Sequence, residues 1–153
     1  FEYDDEKNCY AVKCVDKTIT SCVIPSEYNG LPVKIIKGWG FKGCTQLSSI
    51  TIPVTIQGIR RSAFQDCSSL TSITLPKGVL TISDFAFQGC STLESIYLPK
   101  KLNYIGNDIF QGCQNLKVIR YEGTSAEWEK IQKVNGWDTT IKNKYTIHYN
   151  STM

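Results

Sequence analysis

The side chains best suited to chemistry in this chain are seven cysteines and a single histidine, His148. A thiolate beside an imidazole makes a nucleophilic pair, and three or four such ligands make a zinc site. Spacing argues against both. Cys44, Cys67, Cys90 and Cys113 recur every 23 residues, and Phe41, Phe64, Phe87 and Phe110 keep the same step. A residue repeated at a fixed period of roughly 20–50 belongs to a stacked scaffold rather than to a unique reaction centre. Cysteine is small and readily buried, so the ladder is expected as four free core thiols. Cys9, Cys14 and Cys22 lie outside it, in a leader that has room for one disulfide at most. Their spacing, with four and seven residues between them, lacks the close pair of a zinc knuckle, and His148 stands at the far end of the chain. No phosphate-binding glycine loop is present, and the repeat pairs no acids, since Asp66 and Asp84 fall at different registers. The expectation is a protein without catalytic residues, metal or cofactor.

The elements that carry the ladder read clearly. The aligned segments are LSSITIP (47–53), LTSITLP (70–76), LESIYLP (93–99) and LKVIRYE (116–122), each following a Gly-Cys or Asp-Cys turn. Leu, Ile and Ile/Leu alternate with polar residues, as a strand with one buried face requires. The proline after each of the first three cannot donate to a ladder and ends that strand. Between proline and phenylalanine lies a second apolar pair: Val33/Ile36, Ile56/Ile59, Val79/Ile82 and Leu102/Ile105. These pairs predict a second wall of short strands opposite the first, with Phe and Cys turning inward between walls. The L-x-x-I-x-I/L segment is a leucine-rich-repeat strand. The fold class is therefore a mainly β, right-handed leucine-rich-repeat solenoid of 23-residue units, its rungs about 4.8 Å apart.

Solenoid ends expose core and need caps. We read one domain, 1–153, with an N-terminal β cap over 1–22, repeats over 23–121 and a C-terminal helix-strand cap over 122–153. Thr124-Ser125-Ala126-Glu127 is a capping box that starts a short helix, ended by Asn135-Gly136. Trp128 and Trp137 are expected to seal the last rung. Capped ends predict a monomer. A net charge of +3 gives no reason to invoke nucleic acid, and no apolar run is long enough to span a membrane. The chain opens without Met on an acidic run, as expected of a mature domain or a piece of a longer protein.

The pattern L-x-S-I-x-L-P-x-x-V-x-x-I-x-x-x-A-F-x-G-C-x-x-L, over residues 23–121, resembles the BspA-like leucine-rich repeats of mainly bacterial cell-surface proteins. The closing segment Tyr121-Glu122-Gly123-Thr124 with Glu127-Trp128 is similar to the end of such arrays. The resemblance implies an extracellular or cell-surface location, a role in adhesion or protein binding, and no catalytic residues. Arg60-Arg61 and Ser83 depart from it where a glycine after Ile is usual.

Function is then expected where equivalent positions differ. The outward strand positions form columns, Thr51, Thr74, Tyr97, Arg120 and Ser49, Ser72, Ser95, Val118. Tyr97 and Arg120 are the types that dominate hot spots, so this face is the first candidate for binding a host or neighbouring protein. Trp39 and Phe85 share one register and could stack on a sugar. Residues 28–65 hold no acid and carry Lys34, Lys37, Lys42, Arg60 and Arg61, an attraction for an anionic partner. The first reading is a non-catalytic protein-binding module; the alternatives are a structural spacer presenting a neighbouring domain and a glycan-binding module.

Overall fold

The computed structural model describes residues 1–138, 141 and 144–152. The leader contributes β1 (Glu2–Asp4), β2 (Cys9–Val12), β3 (Ser21–Val23), β4 (Glu27–Tyr28) and β5 (Leu31–Ile36). The regular units then alternate between walls: β6 (Ser49–Thr51), β7 (Gly58–Ile59), β8 (Ser72–Thr74), β9 (Thr81–Ile82), β10 (Ser95–Leu98), β11 (Tyr104–Ile105) and β12 (Val118–Tyr121). Helix α1 (Ser125–Lys130), β13 (Gln132–Lys133) and β14 (Thr146–His148) follow.

One wall is the sheet β1-β2-β5-β7-β9-β11-β13, parallel from β2 onward, with β4 antiparallel to β5. The other consists of the parallel sheet β14-β12-β10-β8 and the parallel pair β3-β6. This is the mainly β repeat solenoid that the 23-residue period predicts. The ladders also run into both segments read as caps, since β2, β3, β13 and β14 all pair in parallel with repeat strands. One continuous front wall was expected. Instead, ladder pairing stops between β6 and β8. The two strands stay in contact, but strands of three residues share only a couple of parallel bonds to lose.

The core between the walls is built of repeated columns. Phe41, Phe64, Phe87 and Phe110 stack with centroids 5.3, 5.4 and 6.0 Å apart. All four are essentially inaccessible, as are Cys44, Cys67, Cys90 and Cys113. The Cys67 thiol donates to the Phe41 carbonyl at 3.3 Å, Cys90 to Phe64 at 3.2 Å and Cys113 to Phe87 at 3.1 Å. Each of these carbonyls already accepts the backbone N–H of the cysteine in its own rung, so the thiol adds a second, weak bond between rungs that a valine could not make. Burial pushes the Cys67 thiol up to about 12. Cys90, held by its Cys113 neighbour and then by burial, also lies well above the ordinary range.

Two positions per rung take left-handed backbone. The residue before each cysteine does so at φ +73° (Gly43), +62° (Asp66), +73° (Gly89) and +80° (Gly112). Glycine suits that turn, and aspartate is among the residues that tolerate it. The second position is Trp39, Ser62, Phe85 and Asp108, at φ +56°, +54°, +57° and +45°.

At the C-terminal end the capping box forms as read: Glu127 N–H donates to Thr124 Oγ1 at 3.2 Å and Thr124 N–H to Glu127 Oε2 at 2.9 Å. The Thr124 amide, and then Lys100, hold the Glu127 carboxyl at about 2. The helix stops at Lys130 rather than at Asn135-Gly136, because Ile131 turns to extended backbone (ψ 129°) to enter β13. Trp128 packs on Tyr121 at 5.2 Å, and Trp137 bridges Trp128 at 5.6 Å and Phe110 at 6.3 Å. The two tryptophans close the last rung.

Phe64→Ala, in the middle of the stack, should cost about 3–5 kcal/mol in urea unfolding, because neither flanking ring can collapse into the gap. A native-state thiol titration at pH 8 should reach the partly exposed Cys14 and Cys22. The other five cysteines should react only on unfolding.

Candidate functional site

The front wall carries the first candidate. Its registers set Ser72 beside Ser95 beside Val118, and Thr74 beside Tyr97 beside Arg120, as the columns predict. On the far side of the split, Ser49 and Thr51 pair with Ser21 and Val23 instead. Ser49, Thr51, Ser72, Thr74 and Arg120 are exposed, and Ser95 is half-buried. Among the described residues the Arg120 guanidinium has no carboxylate partner.

Tyr97 corrects the expectation. It occupies the outward column, yet it is only 5% exposed, and its hydroxyl donates to the Ser151 carbonyl at 3.1 Å. The cause lies in the C-terminal tail. After β14 pairs with β12, Asn150 N–H bonds Gly123 O and Ser151 N–H bonds Tyr121 O, which carries the tail over the ring. Burial raises the Tyr97 phenol above its usual range. Tyr97 therefore anchors the tail and is not free to meet a ligand. The same pairing sets His148 beside Arg120. His148 is exposed, with Nε2 3.3 Å from Thr146 Oγ1. The alternation of residues 145–149 marked a strand, but nothing in the sequence said which strand it would join.

The secondary candidates separate. Trp39 is 57% exposed. Phe85 is half-buried beneath Arg61, whose guanidinium carbon lies 5.1 Å from the ring centroid and whose Nη1 is 3.8 Å from Asp84. Ser62, between them in register, is buried. Lys37 is ion-paired with Glu2, which also meets Lys13 at 2.7 Å. These contacts, Lys13 first, hold the Glu2 carboxyl at about 2. The expected five-cation patch is thus reduced: Lys37 and Arg61 have carboxylate partners, whereas Lys34, Lys42 and Arg60 have none among the described residues.

One feature escaped sequence reasoning entirely. Phe1 stacks on Tyr28 at 4.2 Å, and Tyr10 meets both edge-on at 6.4 and 5.0 Å, with Tyr3 5.4 Å from Tyr10. Phe1, Tyr3 and Tyr28 remain partly exposed. The four rings come from three separate segments, brought together by β1-β2, β2-β5 and β4-β5 pairing on the back wall.

The profile of the BspA type leucine-rich-repeat region matches residues 8–133 in six copies. The chain belongs to this family. It is similar in structure to the Treponema pallidum leucine-rich-repeat protein, with 25% identity and a TM-score of 0.64 over 78% of this chain and 66% of that one. A leucine-rich cell surface protein of Faecalibacterium prausnitzii gives 26% and 0.66 over 81% of this chain and 38% of that one. A leucine-rich-repeat protein of Bacteroides capillosus gives 26% and 0.68 over 76% and 89%. The chain thus spans just under two thirds and about two fifths of the length of the first two. No curated protein sequence is detectably similar to it. Among the described residues no helix is long and apolar enough to cross a membrane.

The Glu2 contacts yield a pH prediction. A carboxyl depressed from 4.5 to about 2 contributes its tether above pH 4.5 and loses it as pH falls through about 2. Carboxyl titration by NMR should therefore place Glu2 near 2. Glu2→Gln should raise amide exchange in β1 at neutral pH.

Proposed function

We propose that this chain is a non-catalytic protein-binding module of a secreted or cell-surface protein, and that it binds through the front wall. The observation that carries the reading is Arg120. It stands exposed and without a carboxylate partner among the described residues, on a parallel sheet in register between Tyr97 and His148. Further along the same wall, Ser72 and Thr74 two strands away, and Ser49 and Thr51 beyond the break, supply short hydroxyls that lose little rotamer entropy on contact. Arginine on such a face can make paired hydrogen bonds to a carboxylate of the partner. Membership of a family with a cell-surface relative supports the location.

Trp39 favours a second reading, stacking of its exposed indole on a sugar ring, because it projects from a backbone held in a left-handed turn.

Beads coated with the protein should adhere to epithelial or bacterial cell layers. Arg120→Glu with Thr74→Glu should reduce adhesion about tenfold, the cost of one hot-spot contact, without lowering the melting temperature. Protease treatment of the layer should abolish adhesion. Adhesion that survives proteolysis but fails with Trp39→Ala would favour the sugar reading.

A further inference from the structure

The back wall carries a second site that the repeat does not explain. Its outward row is set by the ladder register as Ile35, Gly58, Thr81, Tyr104. Gly58 alone lacks a side chain, and a cavity of about 380 Å³ opens there. Its glycine is not demanded by the backbone, whose φ is ordinary. Nor is it demanded by space, since an added Cβ would meet nothing closer than Thr81 Oγ1 at 3.4 Å. A single added carbon would therefore fit, with Arg60 Nε 4.0 Å away on its other side.

The lining has one sign of charge. Lys7, Lys34 and Arg60 rim the cavity, and no carboxylate lines it. Lys7 has only a loose ion pair with Asp4 at 3.9 Å, while Lys34 and Arg60 have no carboxylate partner among the described residues. Arg60 also lines the adjoining depression that holds Glu2, Asp4 and Lys37, yet forms no ion pair with either acid. Ile35 and Leu80 supply the aliphatic walls, and Gln57 and Thr81 the uncharged polar groups. Arg60 itself replaces the small residues, Ser83 and Gly106, found at the same place in later rungs. Two departures from the repeat, Gly58 and Arg60, thus converge on one notch.

We propose that this notch binds an acidic segment of a protein partner, seating a Glu or Asp side chain with its methylene stem against Ile35 and Leu80 and its carboxylate among Lys7, Lys34 and Arg60. Three cations without lining acids give the charge complementarity. An acidic sugar fits less well. No aromatic ring lines the cavity to stack on a sugar face, and the lining is mainly of donors, whereas sugar hydroxyls also need acceptors. The site adds a second contact surface to the protein-binding reading, on the opposite wall from Arg120, so either can fail without the other.

The probe is an acetylated hexaglutamate peptide titrated into the isotope-labelled protein, up to about 10 mM, a range in which weak ion-paired contacts register. Amide shifts should saturate at Lys34, Gln57, Gly58, Arg60 and Thr81, and should fade in high salt. Gly58→Ile places in the gap the residue type found one rung earlier and leaves net charge unchanged. It should abolish those shifts while keeping the melting temperature. Arg60→Gln, which keeps the glycine, should weaken them about threefold or more. Arg120→Glu should leave them unaltered. The proposal is overturned by shifts spread over all surface lysines, by equal shifts in Gly58→Ile, or by no shifts at all. Tighter saturation of the same amides by a heparin tetrasaccharide would overturn it in favour of an acidic glycan.

Discussion

Every rung of this protein is held against the next by like side chains meeting like. Four phenylalanine rings stack with centroids 5.3 to 6.0 Å apart, and three thiols each close a hydrogen bond to a carbonyl one rung back. A parallel stack tolerates no slip of register within a strand, because a one-residue slip would turn every inward side chain outward. The loops between strands, by contrast, can lengthen, as where β3 meets β6 and β12 meets β14. The shared register of the regular units follows from that constraint. So do the two left-handed turn positions per rung, which must recur for the chain to come back into register.

Constraint inside leaves freedom outside. The outward positions are under no packing demand to repeat, and there the rungs differ: Thr74, Tyr97 and Arg120 in one row, Ile35, Gly58 and Thr81 in another. Surface ion pairs such as those of Arg61 and Lys37 contribute little to stability and partly cancel the basic stretch. Arg120 in front and Arg60 behind are among the cations that have no carboxylate partner among the described residues.

How far the candidate site could be read in advance differs residue by residue. The Thr74-Tyr97-Arg120 alignment was legible, because a strict period places equivalent residues side by side. Tyr97 was misread as accessible, because its cover comes from residues 150–152, more than fifty positions away and outside the period. The partners of Lys37 and the aromatic cluster of Phe1, Tyr3, Tyr10 and Tyr28 were hidden for the same reason: both depend on where the aperiodic leader folds back. The capping box was visible, being local, but the end of its helix was not. Ile131 leaves the helix to pair with a wall strand, a long-range interaction that overrides the later Asn-Gly signal.

The sequence by itself determined the solenoid, the inward columns, the two walls and the sealing role of Trp128 and Trp137. Periodicity converts spacing along the chain directly into neighbours in space. Only the tertiary structure decided which outward residues remain open. It buried Tyr97, paired Lys37 and Arg61, set His148 beside Arg120, and left the Gly58 notch ringed by cations. Those outcomes depend on contacts between the repeats and the non-repeating ends, and no period encodes them.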